Sequence, residues 1–260
     1  RDQPRSRGLG DVYKRQRYGI TLEALDLMTR LWSESAPLTH HGEHFDYSLE
    51  RRVWLSHGVG EMARPLQQPH PPIALAMVGP GGLTAETIAA RDFIPISANF
   101  VPVENLFAQW QAYSATRQKL GKPADRMIWR VCRNILVTDS DARAEDILAD
   151  PDGVFAYYYR YIRGVRQIED FKDRQHEPLS VLNEIVEVPQ ALEDCVIAGS
   201  ADTVLERLIA MTDLLGRFGT LVMVAHDWDD SDLWPNSMRH LRNDIMPRLS
   251  QHADQLPSLD

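Results

Sequence analysis

Met77-Val-Gly-Pro-Gly-Gly-Leu-Thr84 is a glycine-rich turn between an apolar run of strand length and a helix-like segment. Backbone N–H groups and the positive end of a helix make such a turn an anion site suited to a phosphate. It matches neither G-x-G-x-x-G nor a P-loop and carries no Lys, and tight turns use glycine for steric reasons alone, so both readings stand. Ser97-Ala-Asn-Phe100 places a polar pair at the end of the next apolar run, either as a site or as a satisfied loop. His226-Asp-Trp-Asp-Asp230 follows the last apolar run. A His among carboxylates suits acid/base work or a metal, but Asp229, Asp230 and Asp232 precede a helix and serve equally well as caps. No metal is expected there. His226 and Trp228 lining a site stand against a bland loop.

Other chemistry is poorly supported. His40-His-Gly-Glu-His44 lacks the helical H-E-x-x-H order and sits in a Gly-broken loop, so solvated histidines are expected. Thr138-Asp-Ser-Asp141 reads as a helix N-cap. There is no G-x-S-x-G elbow, and Cys132 and Cys195 make neither a disulfide framework nor a Cys-rich zinc motif. The Tyr157 to Tyr161 cluster, with Phe155 nearby, suits either the apolar wall of a substrate pocket or core.

These stretches need elements to position them. Thr21 to Trp32 carries Leu22, Leu25, Met28, Leu31 and Trp32 at helical spacing, and 33–70 reads as a long loop with a short hairpin. Then strand-like runs at 72–78, 94–100, 127–137 and 218–225 alternate with helices at 84–90, 103–120, from Ala142, from a Ser200 cap to Gly216, and 232–249. Residues 150–195 read as an irregular, aromatic-rich insertion. Continuous apolar strands alternating with helices imply a parallel sheet covered on both faces, whose ligands meet the C-terminal strand ends. An eight-stranded barrel needs roughly 250 residues and eight strands. Four units therefore imply an incomplete (β/α)8 barrel, with a small doubly wound sheet as the alternative.

Composition narrows the function. The chain has 260 residues, 43% hydrophobic and 25% charged, as an ordinary globular protein has. A formal charge of -9 and no basic run argue against nucleic acid. The absence of an 18-residue apolar stretch argues against a membrane span, and a cytoplasmic location is expected. Residues 1–16 (RDQPRSRGLGDVYKRQ) lack periodicity. Ser6 to Gln16 resembles the in-frame translation of a transposon-type sequencing adaptor, so 1–16 are expected not to be native; a natural basic arm is the alternative.

Leu25 to Trp32, Arg64 to Ile73, Gly199-Ser-Ala-Asp-Thr-Val204, Gly216-Arg-Phe-Gly-Thr-Leu221, His226-Asp-Trp228 and Ile245-Met-Pro-Arg-Leu249 together resemble the bacterial luciferase-like flavin-dependent monooxygenases, nearest their limonene monooxygenase-like branch. The resemblance implies a (β/α)8 TIM barrel of which 17–260 would be the C-terminal part, about strands five to eight. It implies reduced FMN, or a deazaflavin in one branch, O2, a small apolar organic substrate, a flavin reductase as electron donor and a homo-oligomer. Carried over residue by residue, Gly79, Gly81, Gly82 and Thr84 fall on the flavin-phosphate loop, Met77 and Asn99 beside the isoalloxazine ring, and Phe100, His226 and Trp228 in the substrate pocket. The loop departs from the family's hydroxyl-rich run, leaving Thr84 as its only hydroxyl, and Asp92 stands where a small residue is common. The catalytic residues are expected in a missing N-terminal half, so the fragment is expected to be inactive. A deazaflavin-dependent oxidoreductase and a non-catalytic luciferase-like subunit are the alternatives.

Overall fold

The computed structural model describes residues 5–50, 54–57, 63–167, 187–226 and 232–257. The chain divides into two units, Arg1–Pro72 and Ile73–Asp260. The first holds a long helix α1 (Arg5–Ser33) and an antiparallel hairpin of β1 (Leu38–His41) and β2 (Asp46–Leu49). The expected helix and hairpin are both present. Helix α1 nevertheless begins well before Thr21, within the stretch that lacks periodicity. Once a helix is nucleated each further residue adds one hydrogen bond, so an aperiodic stretch can extend it. His40 is not solvated as expected. Its Nε2 lies 2.9 Å from Glu23 Oε1, and Glu23 also accepts from the backbone N–H of His44 and Phe45. His41 remains exposed, 3.1 Å from Asp46.

The second unit is built on a parallel sheet. Its strands are β3 (Ala74–Met77), β4 (Ile94–Ser97), β5 (Arg130–Val137), β6 (Val196–Gly199) and β7 (Thr220–Val224). β3 pairs with β4 and β4 with β5, while β5 also pairs with two further strands. Its first half, Arg130–Asn134, bonds to β7 and its second half, Asn134–Val137, bonds to β6. The parallel pairing matches the expectation from continuous apolar runs. The strand count does not: five replace four, because the short stretch between the insertion and the Ser200 cap is also a strand, β6. Its four apolar residues leave a helix with no intervening turn residue, so no punctuation marks the change.

Helices α2 (Leu83–Ala90), α3 (Val103–Lys119) and α4 (Asp141–Ala149) follow β3, β4 and β5. The supposed irregular insertion contains α5 (Val154–Gln167) and α6 (Val188–Cys195). Tyr and Phe are weak helix formers, but Phe155, Tyr158, Tyr159 and Ile162 fall on one helical face and bury it. Phe155 and Tyr159 are fully buried among Leu136, Leu192, Cys195 and Trp234. Tertiary packing overrides propensity here. Helix α7 (Ala201–Leu215) is capped by Ser200, whose side chain accepts from the N–H of Thr203, and stops at Gly216 with φ 73°. Ser140 caps α4 in the same way. The final helical stretch is α8 (Leu233–His240), a π turn at Leu241–Ile245 and α9 (Met246–Ala253).

Asp92 also finds its reason. Among the described residues it is the non-glycine residue at positive φ (58°), a conformation Asp tolerates. Its carboxylate takes Arg117 Nη1 and Lys122 Nζ, tying the α2–β4 turn to the end of α3.

Candidate functional site

The site is assembled at the C-terminal ends of β3, β4 and β7 and along the middle of β5. Register puts Met77 beside Ser97, the last residues of their strands. The turn after Met77 then enters α2 with Gly82 as N-cap, at φ 83°. Thr84 is therefore inside the first helical turn. Gly82 offers no side-chain oxygen, so the N-cap residue satisfies none of the first-turn N–H groups. Atoms of a Cβ added at Gly79 or Gly82 would meet nothing within 4 Å, so this face of the turn is open. Gly81 differs: its φ is 152° and a Cβ there would lie 3.0 Å from Ala112 Cβ. An open, N–H-rich turn on a helix end fits a phosphate through backbone donors alone.

Gln109 sets the shape of this turn. It lies wholly buried on α3, inside the apolar stripe of Leu106, Trp110 and Tyr113. Its Nε2 donates to Met77 O (3.2 Å) and Gly79 O (2.6 Å), and its Oε1 accepts from Ser97 Oγ at 2.7 Å. Ser97 in turn accepts from Trp129 Nε1 at 2.9 Å. One amide thus ties the ends of β3 and β4 together. Sequence reasoning missed it, although a polar residue on a helix's apolar stripe was a readable signal.

A second group of polar side chains lies beyond β4. Asn99, which is buried, donates through Nδ2 to Asn134 Oδ1 (3.2 Å) and Tyr158 OH (2.9 Å). Asn134 donates to Tyr159 OH, and its Oδ1 also lies 3.2 Å from His226 Nε2. With that oxygen accepting, Nε2 carries the proton. His226 is buried with Phe155, Tyr158 and Trp234 ring centroids 5.6, 4.7 and 6.1 Å away. Burial depresses its pKa below the ordinary imidazole value, so the ring is neutral at pH 7. Burial likewise raises the phenols of Tyr158 and Tyr159, which stay protonated. The result is a neutral, water-poor hydrogen-bonded cluster beside an apolar wall.

Of the expected site residues, the structure brings Asn99 and His226 together through Asn134, and it buries Met77 at the end of β3. Phe100 is half-buried against the cluster of Phe155, Tyr159 and Trp234. Trp228 lies outside the described residues. Within the Tyr157 to Tyr161 cluster, Tyr158 and Tyr159 join the site and Tyr157 and Tyr161 are exposed. Asn134 was not anticipated, because nothing in its strand-like run marks one position as facing a site. Among the described residues no group of three or more His, Cys, Asp or Glu side chains is placed to hold a metal, and no helix is long and apolar enough to cross a membrane.

A family model for luciferase-like monooxygenases matches residues 2–217. The chain belongs to the luciferase-like monooxygenase family. It is 23% identical over 233 residues to 3,6-diketocamphane 1,6-monooxygenase of Pseudomonas putida, covering 87% of this chain and 61% of that protein. It is 26% identical over 240 residues to 4-hydroxyprotoasukamycin monooxygenase of Streptomyces nodosus subsp. asukaensis, covering 90% and 59%. The chain thus spans about three fifths of the length of these curated relatives. The solved oxygenating constituent of the Pseudomonas putida 3,6-diketocamphane monooxygenase, in complex with FMN, superposes with a TM-score of 0.65 at 22% identity, covering 87% of this chain and 62% of that one. An F420-dependent secondary alcohol dehydrogenase superposes at 0.58 with 13% identity, covering 86% and 61%. The fold is the parallel α/β arrangement of luciferase-like TIM barrels.

Proposed function

We propose that this chain carries the flavin-binding residues of an FMN-dependent monooxygenase that inserts one oxygen atom of O2 into a small apolar organic substrate. In this reading 17–260 form the C-terminal part of its barrel, 1–16 take no part in the site, and a separate flavin reductase delivers reduced FMN. The observation that supports it is the placement, at adjacent strand ends, of an open glycine turn and a buried Asn–His–Tyr cluster.

Each residue has a role in this scheme. The backbone of Gly79, Gly81, Gly82 and Thr84 would hold the flavin phosphate, with Gln109 keeping the turn in shape. Met77 and Asn99 would flank the ring. Reduced FMN, when bound, supplies the two electrons that let one oxygen atom enter the substrate while the other leaves as water. Neutral His226 and Asn134 orient the Asn99 amide, and Phe100, Phe155 and Trp234 exclude water, which oxygen chemistry on a flavin requires.

Competitive titration with FMN and a 5-deazaflavin, followed by flavin fluorescence, tests the cofactor. Preference for FMN is expected. Preference for the deazaflavin would move the assignment to a deazaflavin-dependent oxidoreductase, and binding of neither would favour a non-catalytic luciferase-like subunit.

A further inference from the structure

The parallel sheet of the second unit has two open edges. Along β5, Asn134 pairs with both β6 and β7, so these two flank β5 from opposite sides. Arg130 and Val131 pair with both β4 and β7, which puts β6 on the β4 side, in the lane that β4 leaves. The sheet is therefore four lanes wide, in the order β3, β4, β5, β7, with every junction parallel. Among the described residues no strand pairs with the outer edge of β3 or of β7.

These two edges are complementary. The N–H of Ile94 donates to Ile73 O and that of Ala98 to Met77 O, so Leu75 and Met77 turn their backbone groups to β4 while Ala74 and Ala76 present theirs at the free edge. Thr220 N–H donates to Trp129 O, so Thr220 and Val222 face β5 and Leu221 and Met223 present theirs outward. Side chains alternate as well. Ser97 meets Gln109 of α3, and register carries that helix-covered face through Met77 and Val131 to Leu221 and Met223, leaving Ala74 and Ala76 on the inner face. Each junction inside the sheet joins bonding residues on the helix-covered face of one strand to bonding residues on the inner face of the next. The outer edges of β7 and β3 form one more such pair. The inner face is also uncovered: Ala74 and Ala76 are exposed and Ile94, Ile96, Val222 and Val224 half-buried, whereas Pro95, Ser97 and Val131 on the other face are buried. The chain exposes 16380 Å2, where a compact chain of its mass exposes roughly 11,600 Å2. That surplus is several times the area of about 800 Å2 that each partner buries in a stable dimer.

We propose that a second copy of this chain closes the sheet, β3 of each copy pairing in parallel with β7 of the other about a twofold axis that runs along the strands. Four lanes from each copy make the eight that close a barrel filled by its own side chains. This axis keeps all strands parallel and leaves no edge open, whereas pairing β3 with β3 would leave both β7 edges bare. The two inner faces then bury each other, and both Asn–His–Tyr clusters stand at the same end of the barrel. The proposal rests on the barrel fold and is independent of flavin binding.

Sedimentation equilibrium of the flavin-free chain over a range of concentrations, combined with residue-resolved amide exchange, tests this. A monomer–dimer equilibrium is expected, with exchange at Ala74, Ala76, Leu221 and Met223 slowing as the dimer forms. Ala74 is exposed in the single chain and enclosed in the closed barrel, so Ala74→Asp is expected to weaken dimerisation at least about tenfold while the dilute chain melts as before. Ala76→Pro removes a free-edge N–H and leaves the bonds from β3 to β4 in place, and it is expected to weaken the dimer likewise. A monomer at every concentration, as when further chain of a longer protein covers these edges, would overturn the proposal. So would assembly beyond a dimer, or a dimer that Ala74→Asp leaves unchanged.

Discussion

Asn99, two residues past β4, and Asn134, midway along β5, are joined by a buried amide–amide hydrogen bond of 3.2 Å, and the same Asn134 oxygen lies 3.2 Å from His226 beyond β7. The segments after β4 and β7 are held to the middle of β5 by one side-chain oxygen. Replacing Asn134 by Leu keeps the volume but leaves Asn99 and His226 donors without their acceptor. A buried donor left unmatched costs about 1–3 kcal/mol, so Asn134→Leu is expected to lower the urea midpoint by a corresponding amount. An unchanged midpoint would mean that the cluster is wet and adaptable.

Gln109 makes a parallel case on the other side of β4. Gln109→Leu orphans the Ser97 hydroxyl proton and the Gly79 carbonyl of the β3–α2 turn, while Met77 O keeps its bond from the Ala98 N–H. The expected loss is again about 1–3 kcal/mol, accompanied by weaker flavin binding, because the turn that would take the phosphate loses its brace. Calorimetric melting and flavin titration on the same variant read both effects. Loss of stability with flavin affinity intact would separate the turn from the flavin.

His226 gives a pH signature. Its folded-state pKa is depressed by burial, so the unfolded chain binds the proton more readily. Stability is then highest above the unfolded imidazole value, roughly 6.5, and falls as pH drops from there toward the lower folded-state value. His226→Phe is expected to flatten this fall relative to the parent chain in denaturant titrations at a series of pH values. An identical slope in both would show that His226 titrates as it does in water.

Gly79 and Gly82 are both open to solvent, yet they differ in backbone conformation. Gly82 has φ 83° and a Cβ there is strained by roughly 1–2 kcal/mol. Gly82→Ala is expected to lower stability and weaken flavin binding, whereas Gly79→Ala, with no positive φ and nothing within 4 Å, is expected to leave the melting temperature unchanged.

Much of this arrangement was legible from residue patterns. The apolar runs located β3, β4, β5 and β7, the stripe of Leu106, Trp110 and Tyr113 located α3, and Ser200 and Gly216 bracketed α7, since each signal is local. What stayed hidden depends on partners distant in sequence. β6 is four residues long and is defined by pairing to the second half of β5. Helix α5 reads as an aromatic loop until its face is buried against Trp234 and Leu192. Asn134 becomes a functional candidate only when Asn99, 35 positions away, is brought to it, and the partner of Gln109, marked only as a polar residue on an apolar stripe, emerges only when Gly79, 30 positions away, is brought to it.

In the proposed function the Gly79–Thr84 turn takes a flavin phosphate. FMN and riboflavin differ only in that phosphate, so parallel titrations of the chain with the two oxidised flavins, followed by fluorescence, test it most directly. Weak but measurable FMN binding is expected, at least about tenfold tighter than riboflavin, the preference of charge-assisted backbone contacts, with a smaller preference in Gly82→Ala. Equal affinity for the two flavins, or no binding of either, would contradict it.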